Sequence, residues 1–392
     1  MGITYNSQLK LHQLVFREEK QNYIVEDTIT NEFYEMPKVC IEAIKLIQDN
    51  VPLNEIEINL KKQYADEEID IIEFVNQLVE LEIVCELDGE KVSINIVNKK
   101  DAGFQWVPER LGQILFNDTT TKIYVGMLIA SIMMFIFDPG LIPHFKDIFI
   151  FELMIENVAA IILITLILVL LHEFGHIIAI RGEGLNAKLE LGHRLFFAVL
   201  ETDLTQAWKL PPQKRNKLLY AGMYIDIVVI FTSLILLLVS TDGLLSGVLG
   251  IVVFNTLIRL IYQLCVFMKT DFYYIIENIT GCYNLMENGQ HYLSKRIPFI
   301  KTSHATVSFS GEEKVIRRYA YFYIIGILLT LIITAYYYIP QLIFAVNEIM
   351  LPGFFEPITS IRFWDSVVFL LQILLVSGLL IYSWTKKYRL SS

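Results

Sequence analysis

Apolar positions change their rhythm near residue 100. Up to there they recur either every second residue or every third to fourth. Beyond it they run on almost unbroken for stretches close to the roughly 20 residues that a helix needs to cross a bilayer. In the first part, Leu11–Arg17 and Tyr23–Thr28 alternate like short strands. Ala43, Ile44 and Ile47 share a face of a helix that begins near Pro37, and Leu53–Tyr64 is a second helix. Ile71, Phe74, Val75, Leu78 and Leu81 keep the helical period in a third. Ile83–Leu87, the turn pair Asp88-Gly89 and Val92–Val97 then read as a hairpin. This order predicts a small α+β, winged-helix-like domain over 1–98, followed by a juxtamembrane connector over 99–121. A membrane domain over 122–385 is predicted to hold about six transmembrane helices, near 122–137, 156–180, 217–239, 246–268, 319–341 and 365–384. A tail of 386–392 completes an α-helical polytopic membrane protein.

Composition supports the division. The chain of 392 residues is 54% hydrophobic, and its mean hydropathy is +0.48. The net charge of −10 is unevenly spread: residues 1–95 carry 20 acidic and 8 basic side chains, so the remainder is close to neutral. An acidic first domain argues for basic peptide partners and against nucleic acid. Lys and Arg counts alternate between the expected loops, with seven in 181–217, none in 240–245, seven in 269–318 and one in 342–364. The positive-inside rule then places the N-terminal domain, both long basic loops and the C-terminus in the cytoplasm. Cys40, Cys85, Cys265 and Cys282 show no CxxC spacing and suit a reducing compartment. The first 95 residues are of mixed polarity, unlike a signal peptide.

The chemistry lies in the second long run, which contains Leu171-His172-Glu173-Phe174-Gly175-His176. H-E-x-x-H on a helix puts two imidazoles on one face, where they can hold one Zn²⁺, with Glu173 beside them as a proton acceptor. Ionisable groups inside a bilayer are costly and mark function. By helical rise, the histidines lie roughly 6–12 Å from the cytoplasmic end of their span. A catalytic zinc takes three protein ligands. His12, His144, His193, His291 and His304 are expected in loops or in the soluble domain. The remaining candidates are Asp271, which follows the fourth span at matching depth, and Asp226, deep in the third, which suits either a ligand or a support for one. Gly175 allows close helix packing beside the metal. Ala187–Trp208 contains strand-like stretches, Lys188–Leu191 and Arg194–Glu201, and offers a docking surface for an extended peptide. Its candidate contacts are Leu200, Thr202, Asp203 and Trp208, the last also suited to anchoring at the membrane interface.

The first domain resembles the PqqD-like leader-peptide recognition domains in its order of elements. The membrane domain resembles the zinc metalloproteases of the site-2 protease type, and within them the bacterial peptide zinc metalloprotease branch found with bacteriocin and modified-peptide genes. The motifs that carry this are HExxH, Leu200–Pro211 (against Y-V-D-T-T-D-A-W-x-L-P), Ala221-Gly222 after a basic stretch, and Asp271–Ile276 (against D-G-Y-Y-L-L). Phe272 and Met223 depart from the glycine and proline of those motifs. The resemblance implies Asp271 as the third ligand, one catalytic Zn²⁺, and a multi-pass enzyme of a bacterial cytoplasmic membrane. It also implies a peptide or membrane-protein substrate, with leader removal from a ribosomally made peptide as the expected task and leader capture by the first domain. Intramembrane cleavage of a signalling protein fits the same residues. A non-enzymatic transporter or immunity protein is the rival from another class.

Overall fold

The computed structural model describes residues 3–20, 22–65, 68–92, 103–194, 197–241, 243–297 and 311–390. The chain forms two compact units. One comprises Met1–Ala102 with Leu204–Pro211, and the other Gly103–Asp203 with Pro212–Ser392.

The first unit carries strands β1 (Leu9–Leu11), β2 (Leu14–Glu19), β3 (Asn22–Asp27) and β4 (Phe33–Met36). Helices α1 (Lys38–Gln48), α2 (Leu53–Gln63) and α3 (Ile71–Glu80) follow, then β5 (Val84–Leu87) and β6 (Glu90–Lys91). They make two antiparallel three-stranded sheets, ordered β2-β3-β4 and β1-β5-β6. The helical period buries Ile41, Ile44 and Ile47 of α1 with Ile56 and Leu60 of α2 and Val75 and Leu78 of α3. Asp70 starts α3 by accepting from the amides of Ile72 and Glu73 at 3.0 Å.

Leu11–Arg17 is not one strand: it is divided between β1 and β2, which belong to different sheets. The division falls at His12, whose amide donates to the Ile83 carbonyl (2.9 Å) and whose ring is held by buried Asp27 (Nδ1–Oδ2 2.6 Å). β4 was not anticipated. Asp88-Gly89 forms the expected turn, pairing Leu87 with Glu90; the expected strand residues 93–97 lie outside the described residues. Leu204–Pro211 joins this unit through Arg17, which donates to the Trp208 carbonyl, and through Lys209 Nζ, 3.3 Å from Glu26.

The second unit begins with α4 (Glu109–Leu115), inside the expected connector. Six of its helices are long and apolar enough to cross a membrane, as expected of a multi-pass protein: α5 (Asp118–Phe137), α6 (Met154–Gly182), α7 (Pro212–Val239), α8 (Leu244–Tyr262), α11 (Glu313–Phe354) and α12 (Ile361–Leu390, apolar to Ser383). Between them lie the hairpin β7 (Lys188–Arg194) and β8 (Phe197–Asp203), and the short helices α9 (Asp271–Thr280) and α10 (Leu285–Ser294). α5 starts earlier than the apolar pattern suggests because Asn117 caps it in a reciprocal pair with Thr120. α11 outruns its expected span and includes π-helical turns at Thr334–Tyr338 and Ala345–Met350. α8 stops at Tyr262 instead of reaching 268. Thr270 Oγ1 donates to the freed Gln263 carbonyl (2.8 Å), and Lys269 takes a left-handed backbone (φ 52°). The start of α6 is sealed by Asp365 of α12, whose carboxylate accepts from the amides of Met154 (2.7 Å) and Ile155 (2.8 Å).

Candidate metal centre

α6 presents His172 and His176 one turn apart on a buried face, 6% and 2% exposed. Opposite them, the break after α8 turns the chain so that α9 opens on Asp271. Asp271 Oδ2 lies 3.0 Å from His172 Nε2 and 3.5 Å from His176 Nε2, and the two Nε2 atoms are 3.4 Å apart. Among the described residues these three form the group able to hold a metal ion.

The far side of each imidazole is also occupied. His176 Nδ1 is 2.8 Å from the Leu218 carbonyl, which can only accept, so Nδ1 carries the proton and a neutral ring turns the Nε2 lone pair inward. His172 Nδ1 is 2.8 Å from Asp226 Oδ2. Asp226 therefore faces the ring nitrogen directed away from Asp271, in the position of a supporting carboxylate rather than a third ligand. Asp226 is itself fully buried, and Arg259 of α8 lies 3.6 Å from it while donating to the Leu168 carbonyl (2.8 Å). Gln263 Nε2 donates to Asp271 Oδ2 at 3.2 Å.

The packing fits a small cation. A Cβ built on Gly222 of α7 would stand 2.5 Å from both inward nitrogens, so only glycine leaves the space in front of them open. Gly175 has a comparable packing role: a Cβ there would meet the Ala221 carbonyl oxygen at 2.9 Å. Two imidazole nitrogens and one carboxylate oxygen are donors that suit Zn²⁺ with a fourth position free. The glycine that Phe272 replaces is not needed by the backbone, since α9 starts at Asp271 without left-handed geometry at 272.

Glu173 points to the hairpin. Its Oε2 accepts from both the amide and the hydroxyl of Thr202, each at 2.8 Å. β8 pairs with β7 in the register Leu189↔Thr202 and Leu191↔Leu200, so Leu200 and Asp203 flank this contact in one strand. Trp208 is elsewhere, with Leu204–Pro211 in the first unit. Sequence reasoning missed Arg259, Gln263 and the Leu218 carbonyl. An arginine inside an apolar run was a signal for Arg259, whereas nothing local marks the other two.

α9 is fixed from its far end. Glu277 is buried, accepts from the Tyr273 hydroxyl (2.5 Å) and from the Leu285 amide that opens α10 (3.0 Å). Burial pushes its carboxyl up to about 7. No family model, curated protein or solved structure matches this chain.

Proposed function

We propose that this chain is a zinc-dependent endopeptidase that works within the membrane on a peptide or membrane-associated substrate. The observation that carries the reading is the convergence of His172, His176 and Asp271 from two separate elements, with both imidazoles oriented from behind and the HExxH glutamate alongside. His172 Nε2, His176 Nε2 and Asp271 would hold the metal, which when bound supplies Lewis acidity and an acidified water. Glu173 would serve as the general base toward the attacking water and then as the acid toward the leaving amine. Asp226 and the Leu218 carbonyl keep the two rings from rotating, and Arg259 offsets the buried charge of Asp226. Thr202 holds the Glu173 carboxylate in place. Its amide points to α6 and not to β7, so β8 has an edge beside the catalytic glutamate along which an extended peptide could align.

The resemblance to the site-2 protease type, and to its branch beside bacteriocin genes, suggests leader removal from a ribosomally made peptide. On this reading the acidic first unit is a PqqD-like, winged-helix module that captures the leader. The Lys and Arg distribution favours a cytosolic location for both termini and the site, and the resemblance implies a bacterial membrane.

The test is zinc per polypeptide in detergent-purified protein, together with cleavage of a co-encoded peptide. Wild type should hold close to one zinc, and His172→Ala and Asp271→Ala should lose it. Glu173→Gln should keep its zinc and cut nothing. Retained cleavage in Glu173→Gln would sink the mechanism. Absence of zinc in every sample after supplementation would leave a transporter as the better reading.

A further inference from the structure

The region where α10 meets α11 carries none of the residues of the metal centre. The two helices pack through Leu285, Ile316 and Tyr319, all buried. Beside this seam is a cavity of about 520 Å³, lined by His291, Lys295 and Arg296 from the end of α10 and by Glu313, Lys314 and Arg317 from the first turns of α11. Four permanent cations thus face one carboxylate. No ion pair neutralises any of the four among the described residues. Arg296 is held over the Tyr292 ring at 3.9 Å, which fixes its guanidinium without satisfying its charge.

What lies farther along α11 identifies the ligand class. Lys314 and Arg317 share a face with Tyr321, Ile325 and Leu328 at helical spacing. These three are exposed by 62%, 55% and 53% in a helix apolar enough to cross a membrane. The face is cationic at the helix end and apolar below it. A free anion would use only the first half of that surface. A phospholipid with a net negative head group would use both.

We propose that this cavity binds the phosphate of an anionic membrane phospholipid, with Lys314 and Arg317 on one wall, Lys295 and Arg296 on the other, and the acyl chains along Tyr321, Ile325 and Leu328. Basic pockets between membrane helices at the cytosolic surface are suited to such head groups. The lipid would tie α10 to α11. The proposal does not depend on zinc or on proteolysis.

Native mass spectrometry of the full-length protein in mild detergent tests it, with dioctanoyl phosphatidylglycerol, dioctanoyl phosphatidylcholine and inorganic phosphate as probes. Phosphatidylglycerol should bind saturably and at least about fivefold more tightly than phosphatidylcholine. Lys314→Gln/Arg317→Gln should weaken it by about tenfold or more, since each basic group near a membrane surface contributes about fivefold and the two compound. Arg318→Gln removes a neighbouring charge that does not line the cavity and should leave binding unchanged. If the first double variant fails to fold, Lys295→Gln/Arg296→Gln probes the opposite wall. Equal affinity for the two lipids, or unchanged affinity in the folded double variants, overturns the proposal. An equal loss in Arg318→Gln overturns it too, by revealing diffuse attraction. So does displacement of the lipid by an equimolar amount of inorganic phosphate, which would make this a site for free anions.

Discussion

At the scale of single residues, the site depends on groups that touch the rings from behind. Asp226 holds His172 through Nδ1 at 2.8 Å, and removing such a carboxylate typically weakens a metal site by about 10–100-fold. Asp226→Ala should therefore still take up one zinc at saturation but release it that much more readily to a chelator in a competition titration. Asp271→Ala should lose the metal outright. Gly222→Ala is a sharper case, because its Cβ would sit 2.5 Å from both Nε2 atoms. That variant should keep its helical circular dichroism and bind less than about a tenth of the wild-type zinc, since two of the three groups proposed to hold the metal are obstructed. HExxH and both aspartates were legible in the sequence because an ionisable group in an apolar run is conspicuous. The roles of the aspartates were not legible, since spacing cannot say which ring nitrogen a carboxylate reaches.

Elements carry the next set of consequences. The turn between α8 and α9 places Asp271, yet Cys265–Met268 is as apolar as the helix before it, so hydropathy runs straight through the break. What ends the helix is the hydrogen bond from Thr270 to the Gln263 carbonyl together with the left-handed Lys269, and neither leaves a periodic trace. The long spans were legible for the opposite reason: about 20 apolar residues in a row admit few other structures. Asp365 shows how one such span is anchored, by accepting two amides at the start of α6. Asp365→Ala should destabilise the protein by about 1–2 kcal/mol, the usual cost of losing a helix cap, read as a lower unfolding midpoint in detergent. Glu277 gives α9 a dependence on pH. Its folded carboxyl is raised to about 7 by burial, above the roughly 4.3 of an unfolded chain. Its contribution to stability is thus complete below about pH 4 and is lost as pH rises through 7. Glu277→Gln, which mimics the protonated acid, should flatten the fall in melting temperature between about pH 4 and 7.

For the whole molecule, the pattern of charge and hydropathy located a boundary near residue 100, but it could not show that Leu204–Pro211 belongs with the first hundred residues. That membership rests on Arg17 reaching the Trp208 carbonyl, 191 residues away in sequence, and on Lys209 facing Glu26. Lys209→Glu should loosen this segment, seen as faster amide exchange over 204–211, while the exchange of α1–α3 stays as it is. The polypeptide therefore passes from the first unit into the second, returns for eight residues directly after the strand that holds Glu173, and leaves again. No single cut separates the two. A protein trimmed at residue 102 would keep the membrane helices but strand a loop whose partners had been removed, so lost activity in such a truncation would say nothing about whether the missing domain binds substrate. Point substitutions within the first unit are the cleaner instrument for that question.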